Sequence, residues 1–395
     1  MSEKRIVIGG GGFAGVTAAR ELCRRRKYLN GYEIVLVNET PFFEFIPMLP
    51  DVLAGWLRAE SVRVDLTDFC RRQGIEFRRG KIEEIDPQRR SVGIGQSSLA
   101  YEYLILATGS KTFFYGNEEL RNSCERLDTV ADALRIRERF KKEGMRRKHL
   151  NLVVVGGGYT GLEIVTNSHF LLSSIGVPVH ITIVEKSNDL LAMVPGWLRK
   201  KAKRFLDRLH VDILTGETVN AYKDHTAYFE SGKILENVCC VWAAGVSPEP
   251  LRGIPSETVR GRVKVNWFLQ AEGTEGQGLY VAGDVAAFPA PDHRSPLRMA
   301  IMFAMGQGKR AACNIVRQVR GKKIKPYHPL DLGYLIPLTY ARAPGIVLGI
   351  RVGNFPGFLL HYLLCIYRSF WRKKLPILSD IFQERLPKRG GREKK

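Results

Sequence analysis

The stretch LNLVVVGGGYTGLEIVTNS, residues 150–168, decides the fold. Leu152–Val155 is an unbroken apolar run rich in β-branched residues, the pattern of a strand covered on both faces. Gly156, Gly158 and Gly161 follow at G-x-G-x-x-G spacing and open a helix. The first glycine allows a tight turn and the second lets a pyrophosphate approach the backbone. The third lets helix and strand pack closely, and the helix amides then face the phosphates. The next strand, Val179–Val184, ends on Glu185, twenty-four residues after Gly161. A carboxylate there accepts the hydroxyls of an adenosine ribose and repels a 2′-phosphate, which selects NADH over NADPH. Lys186 softens that preference.

The N-terminus carries a second copy. KRIVIGGGGFAGVTAARELCRRR, residues 4–26, gives a short strand over 5–8, then Gly10, Gly12 and Gly15 at the same spacing. Ala18, Ala19 and Leu22 form the packing side of the helix that follows. The strand Glu33–Val37 leads to Asn38-Glu39, and Glu39 is the expected ribose ligand, one residue later than ideal. Two fingerprints imply two dinucleotides, a tightly but non-covalently held FAD and an exchangeable NADH. YLILATG (103–109), VWAAGV (241–246) and LYVAGD (279–284) are further buried strands that end in small-residue turns. Asp284, after Gly283, is placed to hold the ribityl or pyrophosphate part of a flavin. The fold expected is α/β, with two Rossmann-like dinucleotide-binding domains.

Composition narrows the classes. The chain has 395 residues, 45% hydrophobic and 26% charged, enough for two or three domains with real cores. Its 61 Lys and Arg against 40 Asp and Glu give a net charge of +21, which suits anionic cofactors, lipid or nucleic acid. Seven Cys lack C-x-x-C spacing and eight His lack H-x-x-x-H spacing, so neither a disulfide scaffold nor a metal site is expected. Cys239-Cys240 lie within a strand and are expected in a core. With a strand starting at Lys4, no signal peptide is expected.

Together these pieces resemble the type II NADH dehydrogenases, single-subunit NADH:quinone oxidoreductases that pump no protons. The matching segments are GGGFAG (10–15), FFEFIPMLPDVLAG (42–55), YEYLILATGS (101–110), VVGGGYTGLE (154–163), WAAGVSPEPL (242–251), YVAGDVAAF (280–288) and QGKRAACNI (307–315). The resemblance implies an FAD-binding domain from residues 1–115 and 251–320, an NADH-binding domain from 116–250 and a C-terminal membrane-associating region from 321–395. It carries cofactor contacts to Phe13, Ala14, Pro47, Thr108, Gly109, Tyr159, Thr160, Ala244 and Gly245. It also places Glu163 near nicotinamide and flavin, orienting NADH or serving proton transfer. A plain helix-start acid is the alternative for Glu163. Where the family often has AQxAxQQG beside the quinone head, this chain has IMFAMGQG at 301–308. Ala304, Gln307 and Gly308 keep the pattern, while Met302 and Gly306 stand where paired glutamines would be. These four, Met302, Ala304, Gly306 and Gln307, are the quinone-site candidates.

FPGFLLHYLLCIYRSFW, residues 355–371, predicts a helix with a broad apolar face through Phe358, Leu359, Tyr362, Leu363, Ile366, Phe370 and Trp371. Thirteen such residues reach about 20 Å, short of a bilayer core of about 30 Å, so the helix is expected to lie on a membrane. Residues 368–395 add ten Lys or Arg against three acids, which favours an anionic membrane surface over nucleic acid. The expected placement is peripheral, on the cytoplasmic face of the cell membrane, with a membrane quinone as acceptor. A helix docked on the protein or in a dimer interface, a different electron acceptor, a sulfide:quinone oxidoreductase and a flavin-bearing redox sensor stay open as alternatives.

Overall fold

The computed structural model of the chain describes residues 4–254, 256–290, 295–339 and 341–368, with side chains in the last segment through Cys365. The basic cluster of the C-terminus, with Phe370 and Trp371, lies outside the described residues. The chain divides into two compact units.

The first unit comprises residues 1–43, 64–111 and 246–331. Its sheet has five parallel strands in the order Leu279–Val281, Tyr103–Leu106, Lys4–Gly9, Tyr32–Asn38, Glu76–Arg79. Val7 sits at the centre, level with Val35 on one side and Leu104 on the other, and has no exposed surface. That is why these strands read as continuous apolar runs. Helix Phe13–Arg24 packs against helix Ile301–Val319. A Cβ at Gly308 would come within 2.1 Å of the Ala14 carbonyl oxygen, so the glycine sets the closeness of the two helices.

The second unit comprises residues 44–63, 112–245 and 332–395. Its four-stranded parallel sheet runs Asp212–Thr215, Val179–Glu185, Leu150–Val155, Val238–Trp242. Cys239 and Cys240 are both buried in the last of these strands, and the Cys240 sulfur lies 3.5 Å from that of Cys124. They are core residues, as the strand reading expects. Helix Val130–Arg147 starts on a capping box in which Thr129 and Asp132 each accept the other's backbone N–H. The short helix Leu49–Ala54 packs on helix Tyr159–Ser174, and Trp56 stacks on Phe170 with ring centroids 4.0 Å apart. The motif FFEFIPMLPDVLAG thus delivers Asp51 to the first turns of the second glycine helix.

The C-terminal part of this unit is an antiparallel sheet, Gly333–Leu335, Gly345–Val347 and Ile350–Val352, followed by helix Asn354–Arg368. This helix docks one side and exposes another. Gly357 abuts the Ala343 backbone and Tyr362 and Cys365 are buried, whereas Phe355, Leu359 and Leu363, at four-residue steps, are exposed. The apolar face expected to be continuous is therefore split: Tyr362 belongs to the docked side and Leu359 and Leu363 to the open one. Among the described residues no helix is long and apolar enough to cross a membrane.

The two glycine turns match each other atom for atom. Gly10 and Gly156 have φ of 111° and 113°, a left-handed conformation that side chains resist. A Cβ at Gly15 or Gly161 would fall 1.8 Å from the carbonyl oxygen of Gly10 or Gly156. Gly12 and Gly158 have ordinary negative φ and nothing within 4 Å of a Cβ. The substitution Gly161→Ala should therefore destabilise the protein by about 1–3 kcal/mol through overpacking. Gly158→Ala should cost less than about 1 kcal/mol in stability while weakening dinucleotide binding. Denaturant melts beside cofactor titrations check both, and equal stability losses would contradict this division of roles.

Candidate functional site

Each unit presents one cradle at the carboxyl ends of its strands. In both, the helix begins on a glycine with no side-chain cap, so its first amides point into open space. This bare positive end, flanked by backbone that has no Cβ in the way, fits a pyrophosphate. Phe13, Ala14, Tyr159 and Thr160 occupy the corresponding first helical turns.

The strand ends show the one-residue offset that makes Glu39 later than ideal. The second strand of the first unit closes on Asn38, and its counterpart in the second unit closes on Glu185. Asn38 Oδ1 accepts the N–H of Gly11 at 2.7 Å, and Glu185 Oε2 accepts the N–H of Gly157 at the same distance. Asn38, not Glu39, is therefore the positional equivalent of Glu185. Glu185 also accepts the Ser187 N–H and hydroxyl through Oε1, at 2.8 and 2.7 Å. These bonds fix the carboxylate and leave acceptor capacity for ribose hydroxyls.

Glu39 still lines the first cradle, in a cavity shared with Gly10, Thr108, Gly109, Lys81 and Lys111. Lys111 reaches Glu39 at 2.8 Å and Glu249 at 3.0 Å, and Lys81 reaches Glu249 at 3.0 Å. Desolvation pulls the Lys111 ammonium down, but its two carboxylate partners outweigh it and hold it above its ordinary value. The same contacts overcome desolvation at Glu249 and hold its carboxyl below the usual range. Lys111 was legible only as the residue after ATGS.

The Gly283-Asp284 turn is held from behind. Asp284 accepts the Ser110 hydroxyl at 2.8 Å, and burial pushes its carboxyl upward against that bond and the Arg262 charge. Arg262 is itself buried and donates to the carbonyls of Asp284, Leu297 and Ala286, at 3.0, 2.9 and 2.5 Å. Arg262 opens the short strand Arg262–Lys264, and one arginine among the basic residues of VRGRVK gives no sequence signal for this role. Gln307 is buried too, and its side-chain oxygen accepts the Gly283 N–H at 2.7 Å. Ala304 packs beside the same glycine. Gly306 faces Tyr327, whose hydroxyl lies 2.8 Å from the place of a Cβ at 306. Tyr327 thus fills the space beside the position where the second glutamine of the resembled pattern would stand. Met302 is half-buried one turn earlier.

In the second unit, Gly245 has φ of 139°, and the hydroxyl of the exposed Tyr115 donates to the Ala244 carbonyl at 2.8 Å. Pro47 sits in the 3₁₀ turn Ile46–Met48, also within this unit. Glu163 lies in the first turn and a half of helix Tyr159–Ser174. The residue keeps some reachable surface, yet protein crowds its carboxyl, and that crowding governs its protonation. Desolvation first, and the charge of Asp51 second, push Glu163 well above the ordinary carboxyl range. Asp51 is buried and accepts the Tyr362 hydroxyl at 2.6 Å. A carboxyl pair is therefore built from the PMLPDVLAG segment and the glycine helix, and the C-terminal helix donates to one member.

Residues 4–308 match the pyridine nucleotide-disulphide oxidoreductase family, and the chain belongs to that family. Among individual proteins it is similar to demethylphylloquinone reductase of Synechocystis, at 26% identity over 95% of both chains. It is also similar to type II NADH:quinone oxidoreductase of Staphylococcus aureus, at 25% identity over 88% of this chain and 91% of that one. The fold matches NDH2 from Plasmodium falciparum in complex with NADH, with a TM-score of 0.85 over 96% of this chain and 98% of that one, at 16% identity. The chain spans about half the length of plant mitochondrial relatives such as external alternative NAD(P)H-ubiquinone oxidoreductase B3 of Arabidopsis thaliana, with 55% of that protein covered at 26% identity over 72% of this chain.

The raised proton affinity of Glu163 has a stability signature. The unfolded chain ionises this group near pH 4.3. Above that pH the folded protein retains the proton longer, so Glu163 erodes stability as pH rises toward its folded pKa. Glu163→Gln removes this penalty. The stability of the variant minus that of the parent should therefore increase with pH above about 4.3. Urea melts across roughly pH 4–8 measure it, and a flat difference would mean the carboxyl titrates normally.

Proposed function

We propose that the first unit holds FAD and the second takes NADH, and that the chain is an NADH:quinone oxidoreductase that pumps no protons. The observation that carries this reading is the duplicated cradle with unlike strand ends, Asn38 in one and Glu185 in the other. Two identical pyrophosphate seats with different sugar-side chemistry suit two different dinucleotides. The family and the relatives' names support the same reaction.

FAD, when bound, supplies the redox chemistry, taking a hydride from NADH and passing two electrons to the quinone. The chain's residues seat and tune the partners. Glu185 engages the ribose hydroxyls of NADH. Asp284, positioned by Ser110 and Arg262, holds the flavin side. Glu163 retains a proton at a pH where free carboxyls have lost theirs, and so can serve the proton uptake that quinone reduction demands. Met302, Ala304, Gly306 and Gln307 line the helix start assigned to the quinone side. Gln307 acts there through its bond to Gly283.

The chain associates peripherally with the cytoplasmic face of the cell membrane through the open face of helix Asn354–Arg368. Phe355, Leu359 and Leu363 on that face are 58%, 44% and 60% exposed, a costly arrangement in water unless lipid or a second copy covers it. Vesicle sedimentation beside gel-filtration mass separates lipid from dimer.

Anaerobic NADH should bleach the visible flavin band, and a quinone analogue should restore it. Failure of NADH to bleach would defeat the reading, whereas bleaching without recovery would point to another acceptor. Glu185→Gln should narrow the NADH-over-NADPH preference by about tenfold in kcat/KM, or ~1.4 kcal/mol. An unmodified protein that uses both equally would deny Glu185 the ribose role.

A further inference from the structure

We propose that a cationic cavity in the second unit, lined by Lys201, Arg204, Arg208 and Arg342, binds the phosphate headgroup of an anionic phospholipid. The proposal rests on the membrane reading above and adds to it a defined headgroup site. The cavity measures about 170 Å³, and Phe205, Leu338 and Asn354 complete its wall. Lys201, Arg204 and Arg208 follow one another at three- and four-residue steps on helix Gly196–Arg208, so they share a face. Arg342 enters from the segment before the C-terminal helix, its guanidinium 4.9 Å from the centroid of the Phe205 ring. Stacking of this kind holds the planar fork in one orientation and leaves its N–H edges free for a two-point grip on phosphate.

The charge at this place is unbalanced, whereas the arginines of helix Val130–Arg147 are paired. On helix Val130–Arg147, Arg135 pairs with Asp132 and Glu125, Arg139 with Glu125, and Arg146 with Glu143. Among the described residues, none of the four cavity cations has an ion-pair partner, and the single acid of their helix, Asp207, reaches none of them. Four like charges around one cavity repel each other unless an anion is shared among them. The first residue of the C-terminal helix, Asn354, also lines the cavity, which brings the positive end of that helix to the same point.

What selects a lipid over a small soluble anion is the adjoining surface. The turn between strands Gly345–Val347 and Ile350–Val352 presents Leu348 and Ile350, 65% and 70% exposed. The helix that begins at the cavity presents Phe355, Leu359 and Leu363. Both belong to the segment that carries Arg342. A free phosphate needs the cations alone, whereas a phospholipid also needs apolar side chains beside them to meet its acyl chains.

The test uses the full chain with bound flavin. Sedimentation is measured with phosphatidylcholine vesicles, with and without about 30% phosphatidylglycerol. The triple variant Lys201→Gln, Arg204→Gln, Arg208→Gln is compared with Lys142→Gln, Arg146→Gln, Lys148→Gln, which removes the same charge at the end of helix Val130–Arg147. Unchanged melting temperature and flavin content confirm that both are folded. At about a fivefold loss per near-surface charge, the cavity variant should bind anionic vesicles roughly a hundredfold more weakly. The control variant should lose far less, and short-chain phosphatidylglycerol should displace the parent from vesicles better than inorganic phosphate does. Equal losses in the two triples would overturn the site in favour of diffuse attraction. Displacement by inorganic phosphate at least as strong as by the short-chain lipid would overturn the lipid assignment. A parent protein that sediments with neither vesicle would overturn the membrane reading itself.

Discussion

A missing methyl group organises both halves of this protein. At Gly15 and at Gly161 the helix comes so near the preceding turn that a Cβ would stand 1.8 Å from a carbonyl oxygen. That approach is what aims the first helical amides past the end of the strand and into open space. The five-stranded and four-stranded sheets differ in width, yet both start from this one contact. The dinucleotide chemistry then follows from what stands at the end of the neighbouring strand and in the turns opposite.

Those positions use carboxyl groups in three different ways. Glu185 is fixed by N–H and O–H donors and serves as a polar receptor. Asp284 is caught between burial, which raises its pKa, and Ser110 and Arg262, which lower it, and burial prevails. Glu163 has burial and a second carboxyl acting in the same direction. One residue type thereby supplies a sugar ligand, a buried anchor and a proton store, and the environment decides which.

The glycine cradles, the central strands and Glu185 were legible because their signal is local: spacing, apolar runs and a strand end. The one-residue offset at Glu39 was legible too, but not which side chain takes the glycine amide. A polar residue ends either kind of strand, and only the ladder register shows that Asn38, not Glu39, bonds the central glycine. Arg262, Lys111, Tyr327 and Tyr115 were not legible, since each acts on a residue more than fifteen positions away in sequence. The same limit applies to the motif around Asp51. Its distinctive sequence could be matched, but that it places a carboxylate beside Glu163 depends on packing between two helices.

The C-terminal helix shows why an apolar period alone could not settle its role. A helix that is apolar nearly all round can dock and remain exposed at once. Here the docked side carries Tyr362, whose hydroxyl is spent on Asp51, and the open side carries the hydrocarbon of Phe355, Leu359 and Leu363. Asp51 in turn adds to the pressure that keeps Glu163 protonated. The C-terminal helix is therefore joined to the carboxyl at the start of the glycine helix through one hydrogen bond, from Tyr362 to Asp51, and one like-charge repulsion, between Asp51 and Glu163.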